Sequence, residues 1–540
     1  MKKLLALAMA LAMLLTLVSA MAESGAFAEN VTITIPVYDR EQAGVPNVED
    51  NYWTRWIQQN FGDKYNITVK YVGIPRSDVM NKYSMLAAAD DLPTILMEYD
   101  YPKVTQWAAE GYLTTFDMDD FAAVAPTYYE RMVANNQLTY TKINGETYFV
   151  AALRPYYDTA YTFQTFVRMD WLRQVGYDYV PQTREDYLDA MTKIQEAGIA
   201  EHPAGGTMIT GVGSDQNYSY RTWPLDEAEW AMYGDYNIPS LGWYANYNLL
   251  KFENYKYNAG LTNPEYYLTT AEEDKTNFIN GKNYEYSAYI SAGMDVLSAF
   301  YEANPGAELA IKPVYGLIDE EAGTTPGYRT DNPFGTMIGF SKNATEQQIE
   351  AAWMYLEWLT QDENLFTFQW GIEGENFNYD ENGLPVSVSD YDGEYKMGFN
   401  NNKDYWCATI EARQAGTIED VISNNLPHDL PQDFTADVIQ WYYDKVAVKD
   451  AGWAIANALY SVSMAAESEY QTQLVNLYKE YRDKLTMCAE DEFDALYEQY
   501  TQEFNAAGYK AITDERLAAY EAGNSTHLLN ETAEEVDLGR

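Results

Sequence analysis

Short β-branched runs alternate with amphipathic helical runs through the stretch that begins at Val31, and this alternation restricts the fold more than any other property of the chain. Val31-Thr-Ile-Thr-Ile-Pro-Val37 has the composition of a strand. Trp53, Trp56, Ile57 and Phe61 then recur at helical spacing, which predicts an amphipathic helix over 50–61. Asn66 to Val72 alternates as a second strand, and Ser77 is placed to cap a helix that turns Val79, Tyr83 and Leu86 inward. Thr94-Ile-Leu-Met97 reads as a third strand, and Pro102 to Ala109 as a third helix closed by Gly111. Such an order predicts an α/β protein with a mostly parallel sheet flanked by helices. Ligands of such sheets sit beyond the carboxyl ends of the strands. That rule singles out Tyr38, Asp39 and Arg40 after the first strand, and Glu98, Tyr99, Asp100 and Tyr101 after the third. Each set puts an aromatic face beside charged groups, although any strand-end loop is polar.

Export is legible at the N-terminus. Lys2 and Lys3 precede an apolar run from Leu4 to Val18, followed by the small-residue sites Ala20-Met-Ala22 and Ala26-Phe-Ala28. This is the layout of a secretory signal peptide over 1–22, with cleavage as late as 28 as the alternative, and the run is short for a membrane span, which needs about 20 residues. The first cysteine is Cys407, so the lipid-anchor Cys of a lipoprotein signal is absent and the expected location is extracellular, at the cell surface or in a periplasm. What remains after cleavage exceeds one hydrophobic core and suits two or more.

Charge excludes several partners. The 82 acidic and 35 basic residues give a net charge of -47, and nucleic-acid affinity rests on Lys and Arg neutralising phosphates, so no nucleic acid is expected. An anionic membrane surface would repel the chain as well. Aromatic content is 15%, with 49 Tyr and 13 Trp. Much of it must be core, and the Tyr excess also suits surfaces that stack on and hydrogen-bond to polar ligands. Three scattered His and two Cys, Cys407 and Cys488, form no metal cluster. No metal or cofactor is expected, and the two cysteines could pair in an oxidising compartment.

Asn144-Gly145 is a hairpin signal. Thr183 with Asp186 three residues on starts a helix through Glu196. The loop-rich stretch 205–250 carries Tyr218, Tyr220, Arg221, Trp223, Trp230, Tyr233, Trp243 and Tyr244, and irregular aromatic segments either bind or fill a core. Leu309-Ala-Ile and Phe334 to Phe340 read as strands, Thr345 with Gln348 opens a helix, and the chain beyond Tyr405 reads as mostly helical. Asn378-Tyr-Asp380-Glu-Asn382-Gly383 opens like a calcium loop but has Ser389 where the closing Glu belongs, so a β-turn is expected.

Several of these segments, in order, resemble the family 1 extracellular solute-binding proteins, which feed ABC importers. The central piece is Gly145-Glu-Thr-Tyr148-Phe149, then Phe166-Val-Arg168-Met-Asp170-Trp171-Leu172, Gly176, Pro181, Thr183 and Asp186. Leu86 to Ile95 followed by Gly111 to Asp117 resembles the family's turn into the third strand, with Asp90 in place of its Gly and Thr94 in place of its Asp. Ser341-Lys-Asn-Ala-Thr345, Leu356-Glu-Trp-Leu359 and Trp370-Gly-Ile-Glu373-Gly374 are similar to later family segments.

The resemblance implies a two-lobe, periplasmic-binding-protein-like fold, each lobe a sheet flanked by helices, with the ligand cleft between lobes. Lobe one is expected over 31–155 plus 311–372, lobe two over 156–310 plus 373–524, and a polar tail over 525–540. It further implies a monomer that captures a polar solute, an oligosaccharide first, and delivers it by hinge closure to an ABC permease. Sugar recognition needs aromatic faces against the ring and charged or amide groups against hydroxyls. The candidates for ligand binding are Tyr38, Arg40, Trp53, Tyr99, Asp100, Trp223, Trp370 and Glu373, with core packing as the alternative for Trp53 and Trp370. No catalytic residue is expected: no Gly-x-Ser-x-Gly elbow or phosphate-binding glycine loop is present. A secreted glycoside hydrolase using a carboxylate pair and a peptide-binding receptor stand as alternatives. The Arg168-x-Asp170-Trp171 turn reads as structural.

Overall fold

The computed structural model describes residues 27–39, 46–154, 163–204, 226–234, 238–314, 317–318, 328–329, 332, 334–388, 393, 403–411, 415–423, 426, 430–451, 454–455 and 458–525. The expected signal peptide and nearly all of the polar tail lie outside them. The chain divides into two compact units, one within Met1–Leu153 and Phe334–Glu411 and the other within Arg154–Pro333 and Ala412–Leu538.

In the first unit the strands Val31–Asp39 and Ile67–Pro75 pair in parallel, in unbroken register from Val31 with Ile67 to Asp39 with Pro75. The backbone N–H of Thr34 donates to Thr94 Oγ1 at 3.0 Å, fastening this pair to the next strand, Ile95–Glu98. The buried strand Phe334–Ser341 runs antiparallel to Ile95–Glu98, Leu113–Thr114 and Phe149–Leu153. Antiparallel pairing therefore joins the expected parallel pairing here, because this strand belongs to the chain's return from the second unit.

Local chemistry sets most helix starts. Asn51 accepts from the N–H of Trp53 and Thr54, and Thr54 Oγ1 accepts from Asn51, a capping box that opens Tyr52–Ile57. Ser77 does not cap: a 3₁₀ turn over Arg76–Asp78 precedes the helix Val79–Ala88, which buries Val79 and Tyr83 but only half of Leu86. Asp90, which replaces the family's Gly, takes a φ of +58°, a left-handed conformation that Asp tolerates. Asn144 and Gly145 are both left-handed, at +51° and +84°, and join Lys142–Ile143 to Glu146–Thr147 as a primed hairpin turn requires.

Lobe one is expected to resume at 311 and to end at 372. Leu309–Ile311 pairs with Phe163–Arg168 inside the second unit. Residues 403–411 are fastened to the first unit: Leu153 N–H donates to Thr409 O at 2.9 Å, and Glu411 N–H to Leu153 O at 2.9 Å.

The second unit has an antiparallel sheet of Leu309–Ile311, Phe163–Arg168 and Glu285–Tyr289. Arg168 forks onto Asp170, Nε to Oδ1 at 2.8 Å and Nη2 to Oδ2 at 2.7 Å, and its guanidinium lies 4.7 Å from the Trp171 ring. Nη1 also donates to Gly281 O at 3.2 Å. The turn is structural, as its sequence suggested. Thr183 Oγ1 accepts from Asp186 N–H at 3.1 Å and starts the helix Arg184–Glu196. A helical part packs Tyr244–Asn258 with Ala465–Met487, Phe493–Phe504 and Lys510–Glu521. Asn254 there donates to the carbonyls of Leu485, Thr486 and Cys488, closing the C-terminus of the long helix. No helix among the described residues is long and apolar enough to cross a membrane. Cys407 and Cys488, which could have paired, are both free thiols.

Candidate functional site

Within the first unit, side chains from four separate segments meet at the carboxyl ends of the strands. The strand Val31–Asp39 delivers Tyr38, the end of Ile67–Pro75 leads into Arg76, and Ile95–Glu98 ends on Glu98 and leads into Tyr99 and Asp100. The segment 403–411 adds Lys403 and Cys407.

Glu98 is the centre of the cluster, with 0% of its surface exposed. Its carboxylate accepts from Tyr38 Oη at 2.8 Å, from the backbone N–H of Tyr99 at 3.0 Å and from that of Asp100 at 3.3 Å. Arg76 Nη1 lies 3.3 Å from both carboxylate oxygens. A buried carboxylate is tolerated only when partners replace its water, and here four groups do so. Tyr38 Oη also lies 2.9 Å from Met97 O. Burial pushes the Tyr38 phenol well above its ordinary range, and the adjacent Glu98 charge pushes it further. It is therefore a fixed neutral donor.

Above this centre the Tyr38 and Tyr99 rings stack at 5.9 Å with 27° between planes. The Arg76 guanidinium is 4.8 Å from the first ring centroid and 5.5 Å from the second. Lys403 Nζ is 5.8 Å from the Tyr99 ring, and Tyr99 Oη donates to Cys407 Sγ at 3.1 Å. Burial, with the Asp404 charge second, pushes the Cys407 thiol up to about 12, so it carries no thiolate near neutral pH. Asp100 pairs with Lys103 at 3.4 Å. Tyr38 is itself buried, so what the arrangement can offer to a ring and its hydroxyls is the partly exposed Tyr99, Arg76 and Asp100.

Of the candidates read from the sequence, Tyr38, Tyr99 and Asp100 are brought together. Arg40 and Trp223 lie outside the described residues. Trp53 is buried, stacked on Phe368 at 4.9 Å and edge-on to Trp56 at 6.4 Å. Trp370 is buried at the end of the helix Asp362–Trp370, 6.5 Å from Phe366. Packing is thus what the structure shows for both. Glu373 is exposed in the turn after that helix. The strand-end rule names Glu98, though not as a ligand-binding residue, and Arg76, just past the second strand, goes unnamed although the same rule reaches it. Lys403 and Cys407 carry no such signal, because the fold brings them in from far along the chain.

The Asn378–Gly383 segment is a hairpin turn: Phe377–Tyr379 pairs with Pro385–Ser387, and Asp380 Oδ1 accepts from the N–H of Asn382 at 2.9 Å and of Leu384 at 2.8 Å. These backbone bonds, Leu384 first, hold the Asp380 carboxyl below its usual range. Among the described residues no group of three or more His, Cys, Asp or Glu could hold a metal ion.

Comparison with known proteins defines the class. The sequence profile of the bacterial extracellular solute-binding proteins matches residues 46–365, and the chain belongs to this family. Its fold is that of two-lobe periplasmic-binding-protein-like proteins. The solved structure of the alginate-binding protein AlgQ2 without calcium ion is similar, with a TM-score of 0.62 and 14% identity over 92% of this chain and 99% of that one. An extracellular solute-binding protein from Bifidobacterium longum subsp. infantis gives 0.62 and 12% over 92% and 99%. The N-glycan transport solute-binding protein NgtS from Streptococcus pneumoniae gives 0.55 and 12% over 91% and 99%. No curated protein matches the chain.

Proposed function

We propose that this chain is the exported capture component of an ABC importer, that its ligand is an oligosaccharide, and that it acts by binding without a chemical step. The observation that carries the ligand class is the Tyr38–Tyr99 stack at the strand ends, with Arg76 against both rings and Asp100 beside them. Aromatic faces flanked by charged hydrogen-bonding groups match the alternating apolar and hydroxyl surfaces of a sugar. Membership of the solute-binding family supports the importer role, and neighbours described as binding alginate or transporting N-glycans support the sugar class. In this reading Tyr99 and Asp100 contact ligand together with Arg76, the buried Tyr38 backs the Tyr99 ring, and Arg40 and Trp223 stand as further candidates for ligand contact. Ligand stabilises a closed state of the hinge, and a permease recognises that state.

The test is thermal unfolding of the mature chain against mono- and oligosaccharides and short peptides. A ligand at about 100 times its Kd adds about 2.7 kcal/mol to the folded state. Stabilisation by a glycan that is recovered intact supports capture for import. A glycan recovered cleaved would favour the hydrolase, and stabilisation by peptides alone would favour the peptide receptor.

A further inference from the structure

We infer that the part of the ligand received beside Tyr38 and Tyr99 is uncharged, and that Glu98 is the positioning residue that keeps this surface electrically neutral. The inference rests on the reading of these strand ends as a sugar-binding surface, and narrows it from oligosaccharides in general to neutral ones.

The argument is one of charge matching. Recognition of a carboxylated, sulfated or phosphorylated sugar needs cations whose charge is available to the ligand. Here two of the cations are already paired. Arg76 sits 3.3 Å from both oxygens of the fully buried Glu98, and Lys103 sits 3.4 Å from Asp100. Lys403 and Asp404 are chain neighbours, both buried, and their charges act in opposite senses on the Cys407 thiol. Asp39, exposed at the last position of its strand, adds one more acid. Among the described residues, acids therefore outnumber bases at this end of the sheet. The whole chain adds to the effect, with a net charge of -47.

An anionic ligand that took over Nη1 of Arg76 would draw it away from Glu98. That would leave a carboxylate buried without its counter-charge, one of the most unfavourable arrangements in a protein interior. A hydroxyl both donates and accepts, so it can bond to either member of an ion pair without separating them. Glu98 also fixes the Tyr38 hydroxyl and the start of the Tyr99–Asp100 loop, so the same carboxylate sets the charge and the geometry of the stack.

The experiment is titration calorimetry of the mature full-length chain with neutral gluco-, manno-, galacto- and fructo-trisaccharides, and with mannuronate and galacturonate trisaccharides, at low salt and at about 0.3 M salt, where charges are screened beyond a few ångströms. The expected result is that at least one neutral trisaccharide binds, with little salt dependence, and neither uronate does. If only a uronate binds, or binds more tightly than every neutral sugar, the inference is overturned while sugar capture stands. If no sugar binds, the sugar reading falls and takes the inference with it.

Variants probe the positioning role separately, once their melting shows that they fold. Glu98→Gln exposes the Arg76 charge, and should weaken the neutral trisaccharide by about tenfold while admitting a uronate in a salt-dependent manner. Adding Arg76→Gln should abolish that uronate binding and restore part of the neutral affinity. A Glu98→Gln protein that still rejects uronates and binds the neutral sugar as before would overturn the role of Glu98.

Discussion

Tyr99 Oη donates a hydrogen bond to the Sγ of Cys407 at 3.1 Å, across 308 residues of sequence. The bond ties the loop after the third strand to the late segment 403–411, and it fixes the edge of a ring that also stacks on Tyr38. Cys407 has 1% of its surface exposed, and burial holds its thiol protonated. Cys488, by contrast, is half-buried.

Thiol reactivity is therefore expected to split in two. With a disulfide reagent at pH 8, the native chain should release at most one equivalent, and a Cys488→Ser variant essentially none until denaturant is added. Fast labelling of Cys407 in the native Cys488→Ser protein would contradict its buried, hydrogen-bonded position.

Removing the Glu98 carboxylate should cost stability as well as binding. Glu98→Ala removes the acceptor of two backbone N–H groups and the ion pair with Arg76, while Tyr38 keeps its bond to Met97 O. The side chain of Arg76 is 34% exposed, so water can compensate it in part. A loss of about 1–3 kcal/mol in urea unfolding is expected, at the low end of what breaking a fully buried pair costs. A change within experimental error would mean that the cluster is not formed in solution.

Gly335 should tolerate no side chain. A Cβ there would lie 2.5 Å from Glu411 Cγ and Cδ, and Glu411 is buried and fastened by its N–H to Leu153 O. Gly335→Ala should destabilise the first unit by about 1–3 kcal/mol, as overpacking of cores does. Gly145→Ala meets nothing within 4 Å, but its φ of +84° makes the cost conformational. Denaturant midpoints of the two variants, with unchanged m-values, check both, and a neutral Gly335→Ala would show that 403–411 is not seated on that strand.

What the sequence revealed was local. Strand composition, the Asn144-Gly145 turn and the Thr183 cap depend on neighbours within a few residues, and each is present in the structure. The strand-end rule names Tyr38, Tyr99 and Asp100 because where a strand ends is itself a local pattern. Trp53 and Trp370 illustrate the limit: a Trp looks the same in sequence whether it faces ligand or Phe368, and burial decides. Ser77 had the right chemistry for a cap, yet the 3₁₀ turn over Arg76–Asp78 opens that helix instead. Residues 403–411 were beyond reach because no local pattern says which strand a distant segment will cover.

Alkaline pH should unfold this protein through its tyrosines. Burial raises the phenols of Tyr38, Tyr71, Tyr187 and Tyr284 well above the ordinary value of 10.0, while the same residues in the unfolded chain titrate near that value. The neutral form is favoured in the folded state, so above pH 10 the unfolded chain loses protons that the folded chain retains. Stability is thus fully present below about pH 10 and falls as pH rises beyond it, with the steepness set by how many such phenols unfold together. Urea midpoints should be flat in this respect from pH 7 to 9 and drop above 10, and absorbance near 295 nm should show only the exposed tyrosines ionising before the unfolding step. Tyr71→Phe should flatten the drop, since a buried Phe has no proton to lose. A midpoint that held steady through pH 11 would mean that these phenols are not buried in the folded chain.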